Sequence, residues 1–220
     1  MSEAGSKKGD TPVEYPSRLT MPVGEAMFSQ RAIRRLSQEP ISDDELKIVL
    51  DAASKAPNGG NRQPGRFLVI RSREKIAEFG KLYHEAWWAK RYDEYGWTGP
   101  ADVPPDNKVY ASAMVLAQEM SQAPVIVLVF AIKKGMANSI FPSVQNLLLS
   151  ARALGIGSTL TTLHPKVMER VNAMFNIPEE AEFHCCLPLG RPRGRFGPTT
   201  RLPTAETTFF DGWDKPPPWA

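Results

Sequence analysis

The chain has 220 residues, enough for one large domain or two small ones with a sizeable core. Hydrophobic residues make up 42% and the net charge is +3, too small by itself to imply a nucleic-acid partner. Cys185 and Cys186 are adjacent and His84, His164 and His184 are far apart, so neither a disulfide framework nor a zinc site is indicated and no metal is expected.

The N-terminus is polar, with no signal-peptide pattern, and the longest strongly apolar run, Val125 to Ile132, is too short to span a bilayer. The expectation is a cytoplasmic protein with no membrane partner. Residues 1–22 read as a flexible tail. A short helix is expected from Val23 to Gln30, followed by three arginines in five residues, Arg31-Ala32-Ile33-Arg34-Arg35. That cluster is either a solvated basic turn or an anion site able to hold a phosphate.

Ser42-Asp43-Asp44-Glu45 is a capping box that opens a helix, and Leu46, Val49, Leu50 and Ala53 follow its period. Pro57 ends it. Pro57-Asn58-Gly59-Gly60-Asn61-Arg62-Gln63-Pro64 then combines permissive glycines with three uncharged amides. It reads as a helix-to-strand turn or as a loop suited to a flat heterocycle with alternating donors and acceptors. Phe67 to Ile70 is a short buried strand, and a helix is expected from about Arg73 to Lys90.

Residues 87–107 concentrate Trp87, Trp88, Tyr92, Tyr95 and Trp97 ahead of three prolines. The run is longer than an ordinary connection and reads as a lid-like insert, with Trp88, Tyr92 and Trp97 as its substrate-facing residues. The competing expectation is that these aromatics pack on the core, with Trp87 and Trp88 continuing the helix.

Further helices are expected at about 108–120, 139–154 and 165–175, and core strands at 124–130 and 183–189. The light segment Ile156 to Thr162 is β-prone, and its glycines allow a close ligand approach. Gly190 to Arg195 is a second basic segment, with Arg201 beyond it. The aromatic, Pro-rich stretch 209–220 reads as a C-terminal arm, held extended by Pro216-Pro217-Pro218, that wraps a second subunit. The main domain is then 23–208, of α+β class. No GxGxxG or P-loop follows a strand.

Five segments in order resemble the FMN-dependent nitroreductase family: Arg31-Ala32-Ile33-Arg34, Ala56 to Pro64, Gln145-Asn146-Leu147 through Gly155-Ile156-Gly157-Ser158, Pro188-Leu189-Gly190-Arg191-Pro192, and Arg201. The resemblance covers about residues 23 to 205. It implies a nitroreductase-like fold, a central mostly antiparallel sheet wrapped by helices, in an intertwined homodimer with two FMN sites at the interface. It also implies that Arg31 and Arg201 hold the phosphate, and that Arg34 lies at the N1–O2 edge of the flavin. Ala32 belongs to the same segment, Asn58 and Asn61 meet the flavin or its ribityl chain, and Gly157, Ser158 and Thr159 face N5–O4. Three positions depart from the family pattern: Ala32 and Asn58 replace serines, and Gly65 replaces a tryptophan.

The implied activity is ping-pong reduction of a small aromatic acceptor, nitroaromatic or quinone, by NADH or NADPH, with Arg34 stabilising the reduced flavin and no protein acid or base. Related branches of the family remove halogen from tyrosines or cleave the flavin. The rival of another class is a non-enzymatic nucleic-acid-binding module built on the arginine clusters and exposed aromatics.

Overall fold

The computed structural model describes residues 13–220; of the expected tail 1–22, residues 1–12 lie outside the described part. Helix α1 (Val23–Ser29) and helix α2 (Asp43–Ser54) precede strand β1 (Gly65–Ile70). The capping box at α2 is formed: Ser42 Oγ accepts from Glu45 N at 3.2 Å, and the Glu45 carboxylate accepts from Ser42 N at 3.2 Å. Helix α3 (Arg73–Tyr95) and helix α4 (Lys108–Glu119) come next, then strand β2 (Val125–Ala131). Helix α5 (Ala137–Ala153), strand β3 (Gly157–Ser158), helix α6 (Pro165–Phe175), strand β4 (Glu182–Gly190) and the short helix α7 (Thr204–Thr207) complete the chain.

The four strands form one sheet in the order β1-β2-β4-β3, every pairing antiparallel. β2 is buried along its whole length, because both sheet faces are covered. Its side chains alternate with period two. Ile126, Leu128 and Phe130 join Phe79, Tyr83, Trp87, Leu116 and Met120 under α3 and α4. Val125, Val127 and Val129 join Val49, Ile140, Val144 and Leu147 under α2 and α5. On β4 the same alternation sends Cys186 to the first layer and Cys185 to the second, so the adjacent thiols are small hydrophobes in different layers.

The insert expected at 87–107 is corrected in its first half. α3 runs on to Tyr95 and ends where Gly96 takes a left-handed conformation, φ +72°. Trp87 is buried, and Arg91, one turn further on, is buried beside it. What remains of the insert is a connection from Gly96 to Asn107 containing one 3-10 turn at Pro100–Asp102. The Asp102 carboxylate accepts from Thr98 N and Gly99 N and fixes that turn.

The C-terminal arm is also corrected, from extended to folded back. Phe210 N donates to Lys215 O at 3.0 Å, Phe209 stacks on Trp213, and Phe210 meets Trp219 edge-on. Trp213 remains 84% exposed.

Candidate active site

The arginine segment after α1 is stitched to the sheet edge. Ala32 bridges Ser158, and Ile33 N donates to Ser158 O at 2.9 Å. The approach requires a bare backbone on the other side: a Cβ added at Gly157 would lie 2.7 Å from Ile33 Cγ2. Segment 31–34 therefore extends the edge begun by β3, and alternation turns Ile33 into the core while Arg34 stays half-buried. Burial lowers the Arg34 pKa, Tyr83 acts against this, and Arg31 lowers it further. Guanidinium stays protonated through such a shift. Among the described residues Arg34 makes no ion pair.

Arg34 lines a cavity of about 210 Å³ between α3, α4 and the strand edge, together with Tyr83, Trp87, Arg91 and the run Thr159–Thr162. Tyr83 Oη and Thr161 Oγ1 share a hydrogen bond of 2.8 Å. Thr161 is itself fixed by two backbone hydrogen bonds with Cys186. Burial, then the neighbouring Cys186, raises the Tyr83 pKa, against the Thr161 hydrogen bond and the charges of Arg34 and Arg91.

The phosphate candidates stand near this edge. Thr199 N donates to Phe28 O at 3.1 Å, which lays the segment before Arg201 along the end of α1. A Cβ added at Gly197 would lie 3.8 Å from Arg31 Nη1. Arg31 and Arg201 are exposed and make no ion pair among the described residues, whereas Arg191 is paired with Glu39 and Glu45, and Arg193 with Glu119.

The loop 57–64 is elsewhere. Asn58 Oδ1 accepts from Gln63 N at 2.8 Å, closing the loop on itself, and Gly59 N donates to Ser139 Oγ near the start of α5. Asn61 and Gln63 hold positive φ angles of 51° and 49°. The loop leads into β1, at the opposite edge of the sheet from β3 and at the opposite end of β2. Three strand spacings across, roughly 14 Å, and the length of β2, about 20 Å, separate the two corners. One chain thus brings Arg31, Ala32, Arg34, Gly157, Ser158 and Thr159 together and leaves Asn58 and Asn61 apart.

The lid residues form a third place. Trp88, Tyr92 and Trp97 line a groove on the outer side of α3 with His84, Asp93 and His164, and none of these lines the Arg34 cavity. There His164 Nδ1 accepts from Lys166 N, so its Nε2 carries the proton donated to Asp93 at 2.9 Å.

A sequence model of the nitroreductase family matches residues 28–191. The chain belongs to the nitroreductase family. It is 27% identical over 169 residues to a putative NADH dehydrogenase/NAD(P)H nitroreductase of Archaeoglobus fulgidus, covering 76% of this chain and 83% of that one. It is 28% identical over 212 residues to an NADH dehydrogenase of Thermus thermophilus, covering 87% and 98%. Among solved structures, an iodotyrosine deiodinase bound to FMN and 3-iodo-L-tyrosine superposes with a TM-score of 0.66 at 24% identity, covering 83% of this chain and 94% of that one.

Within this nitroreductase-family fold the sequence had not pointed to Tyr83, Thr161 or Arg91. A signal for two of them was present: Tyr83, Trp87 and Arg91 recur at intervals of four and so share the buried face of α3. Ala32, where the family pattern has serine, is exposed and contributes only backbone to the bridge with Ser158.

Proposed function

We propose that this chain is an FMN-dependent oxidoreductase that uses NADH or NADPH to reduce nitroaromatic or quinone-type acceptors by ping-pong exchange in one shared pocket. The observation that carries the reading is Arg34: a half-buried guanidinium without a carboxylate partner among the described residues, beside a strand-edge backbone at Thr159–Thr162. A cation fixed there stabilises negative charge on a ligand, and it needs no reorganisation to do so. FMN, when bound, supplies the hydride chemistry. Arg34 is assigned to the flavin N1–O2 edge, and Arg31 and Arg201 to the phosphate. Gly157, Ser158 and Thr159 supply backbone groups along the ring, and Tyr83 with Thr161 holds that edge in place.

Asn58 and Asn61 serve the site of a second copy. Their corner lies too far from Arg34 for one ring system to meet both, which supports a homodimer with sites shared across the interface. Small single-ring acceptors suit the cavity, whose volume is of the order that holds one aromatic ring.

The names of the relatives support the reductant, and the FMN-bound structural neighbours support the cofactor. Relatives named iodotyrosine deiodinase favour a second reading, reductive removal of halogen from an aromatic ring at the same flavin. The nucleic-acid reading loses two arginines of its second basic segment, because Arg191 and Arg193 are held by carboxylates of the same chain.

The test is spectroscopic. The purified protein is expected to carry yellow FMN, and Arg34→Ala to retain part of it with a lower reduction potential and slower reduction by NAD(P)H. A colourless wild type overturns the flavin reading. An unchanged potential and rate in the variant overturn the role of Arg34. Comparing a nitroarene, a quinone and 3-iodotyrosine as acceptors separates reduction from dehalogenation.

A further inference from the structure

Arg91 is the most unusual cation in the chain. Its side chain is only 9% exposed, in the middle of an aromatic box: the guanidinium carbon is 5.5 Å from the Trp87 ring, 5.9 Å from Tyr95 and 5.1 Å from Tyr110. Nη2 meets the Glu94 carboxylate at 3.2 Å. Nε, fully buried, has no hydrogen-bond partner among the described residues. Burying an unpartnered N–H of a charged group is costly, and aromatic faces compensate the charge without accepting that hydrogen bond. Arg91 lines the Arg34 cavity, and so does Lys90. Glu94, which pairs with Lys90 at 4.0 Å and with Arg91, does not line the cavity, so the cavity wall carries three cations, Arg34, Lys90 and Arg91, and no carboxylate.

We propose that Arg91 recognises the acceptor, and that the acceptor is a single aromatic ring bearing a carboxylate. The proposal rests on the flavin reading above and adds the substrate class to it. Arg34 serves the flavin edge, and Arg91, on the α3 side of the cavity, presents its guanidinium charge to an acceptor anion. A charged hydrogen bond in a water-poor box discriminates strongly between a carboxylate and its neutral amide. The box walls, Trp87 and Tyr110, supply apolar surface for the ring. Arg91 is thus a specificity-determining residue, and no proton transfer is asked of it.

The experiment uses the FMN-loaded protein and two isosteric probes, 4-nitrobenzoate and 4-nitrobenzamide, titrated at fixed ionic strength without reductant. Binding is read from the perturbed flavin spectrum. Wild type is expected to bind the carboxylate about ten- to a hundredfold more tightly than the amide. Arg91→Met, which keeps an apolar chain in the box, is expected to bring that ratio close to one. Arg91→Lys is expected to retain part of it. FMN content is measured in every sample, so loss of flavin is seen separately from loss of selectivity. Wild type without preference overturns the proposal, and so does a preference that survives in Arg91→Met. If Arg91→Met does not fold, the wild-type ratio and competition by benzoate against benzamide decide. If the protein is colourless, the flavin reading fails. Quenching of tryptophan fluorescence by benzoate, with Trp87 in the box, then tests the anion site alone, and no quenching overturns it.

Discussion

At the scale of single residues, one carboxylate joins three parts of the chain. Glu45 is 5% exposed and accepts from Arg18 and from Arg191, each at 2.7 Å, as well as from Ser42. Burial works against its ionisation, but the hydrogen bonds from Arg191, Arg18 and Ser42 outweigh burial and hold its pKa down at about 2, against an ordinary 4.5. A depressed folded-state value stabilises the fold at pH above 4.5, and that stabilisation is lost as pH falls from 4.5 toward 2. Because Arg18 is half-exposed and its share is screened by solvent, the stabilisation is about 1–3 kcal/mol. Glu45→Gln is therefore expected to lower Tm at pH 7, with the gap to wild type closing between pH 5 and pH 2. A gap independent of pH would show that Glu45 acts through packing alone. The buried thiols behave in the opposite sense: burial alone pushes Cys185 up to about 12 and, with the neighbouring thiol, pushes Cys186 well above its usual range. Neither is a nucleophile at neutral pH, in keeping with their place in the two core layers.

At the scale of elements, α3 shows what local pattern can and cannot fix. Gly80 sits inside it although glycine costs a helix about 1 kcal/mol relative to alanine. A Cβ there would lie 2.6 Å from the backbone of Ser121, in the turn after α4, and Arg73 ties the same turn down through the carbonyls of Ser121 and Ala123. Because the obstacle is backbone, Gly80→Ala is expected to destabilise by about 1–3 kcal/mol despite its better helix propensity; a gain in Tm by thermal melting would show that the turn gives way. Most elements were legible from the chain alone. The capping box fixed the start of α2, Pro165 the start of α6, and the apolar run of β2 its burial on both faces. The end of α3 was not: the helix was expected to stop at about Lys90, with Trp87 and Trp88 either in it or in a lid, whereas it runs on to Tyr95 and four-residue spacing buries Trp87 and Arg91. The amides of loop 57–64 stayed open between a turn and ligand contacts: Asn58 Oδ1 accepts from Gln63 N within the loop, a use that spacing alone does not separate from ligand binding. The arginines could be ranked only after ion pairing was known: Arg191 and Arg193 are consumed internally, and among the described residues Arg31, Arg34 and Arg201 make no ion pair.

At the scale of the molecule, the diagonal separation of the Asn58 corner from the Arg31–Arg34 corner makes a quantitative expectation. In a two-fold dimer each interface surface recurs, so a site built from corner one of one copy and corner two of its partner occurs twice. With Arg31 assigned to the phosphate, Arg31→Ala is expected to damage that corner alone. Asn58→Ala releases only the loop closed by Gln63 N. Either homodimer then carries two damaged sites. A mixed dimer carries one site with both lesions and one with neither. Random pairing of the two chains is therefore expected to restore about a quarter of the tight FMN sites, half the dimers being mixed and half of their sites intact. Co-expression with two affinity tags isolates the mixed species, and FMN content at a flavin concentration that saturates only the wild type measures the recovery. A site contained within one chain gives a different result: every site in the mixture then keeps one lesion, and no tight FMN returns. The same mixed sample reports on the C-terminal arm. With Trp213 84% exposed and Phe209 stacked against it, the folded-back arm presents aromatic surface of the kind that a second copy covers. Truncation after Thr208 is expected to speed exchange of subunits between tagged dimers, and an unchanged exchange rate would assign the arm to its own chain.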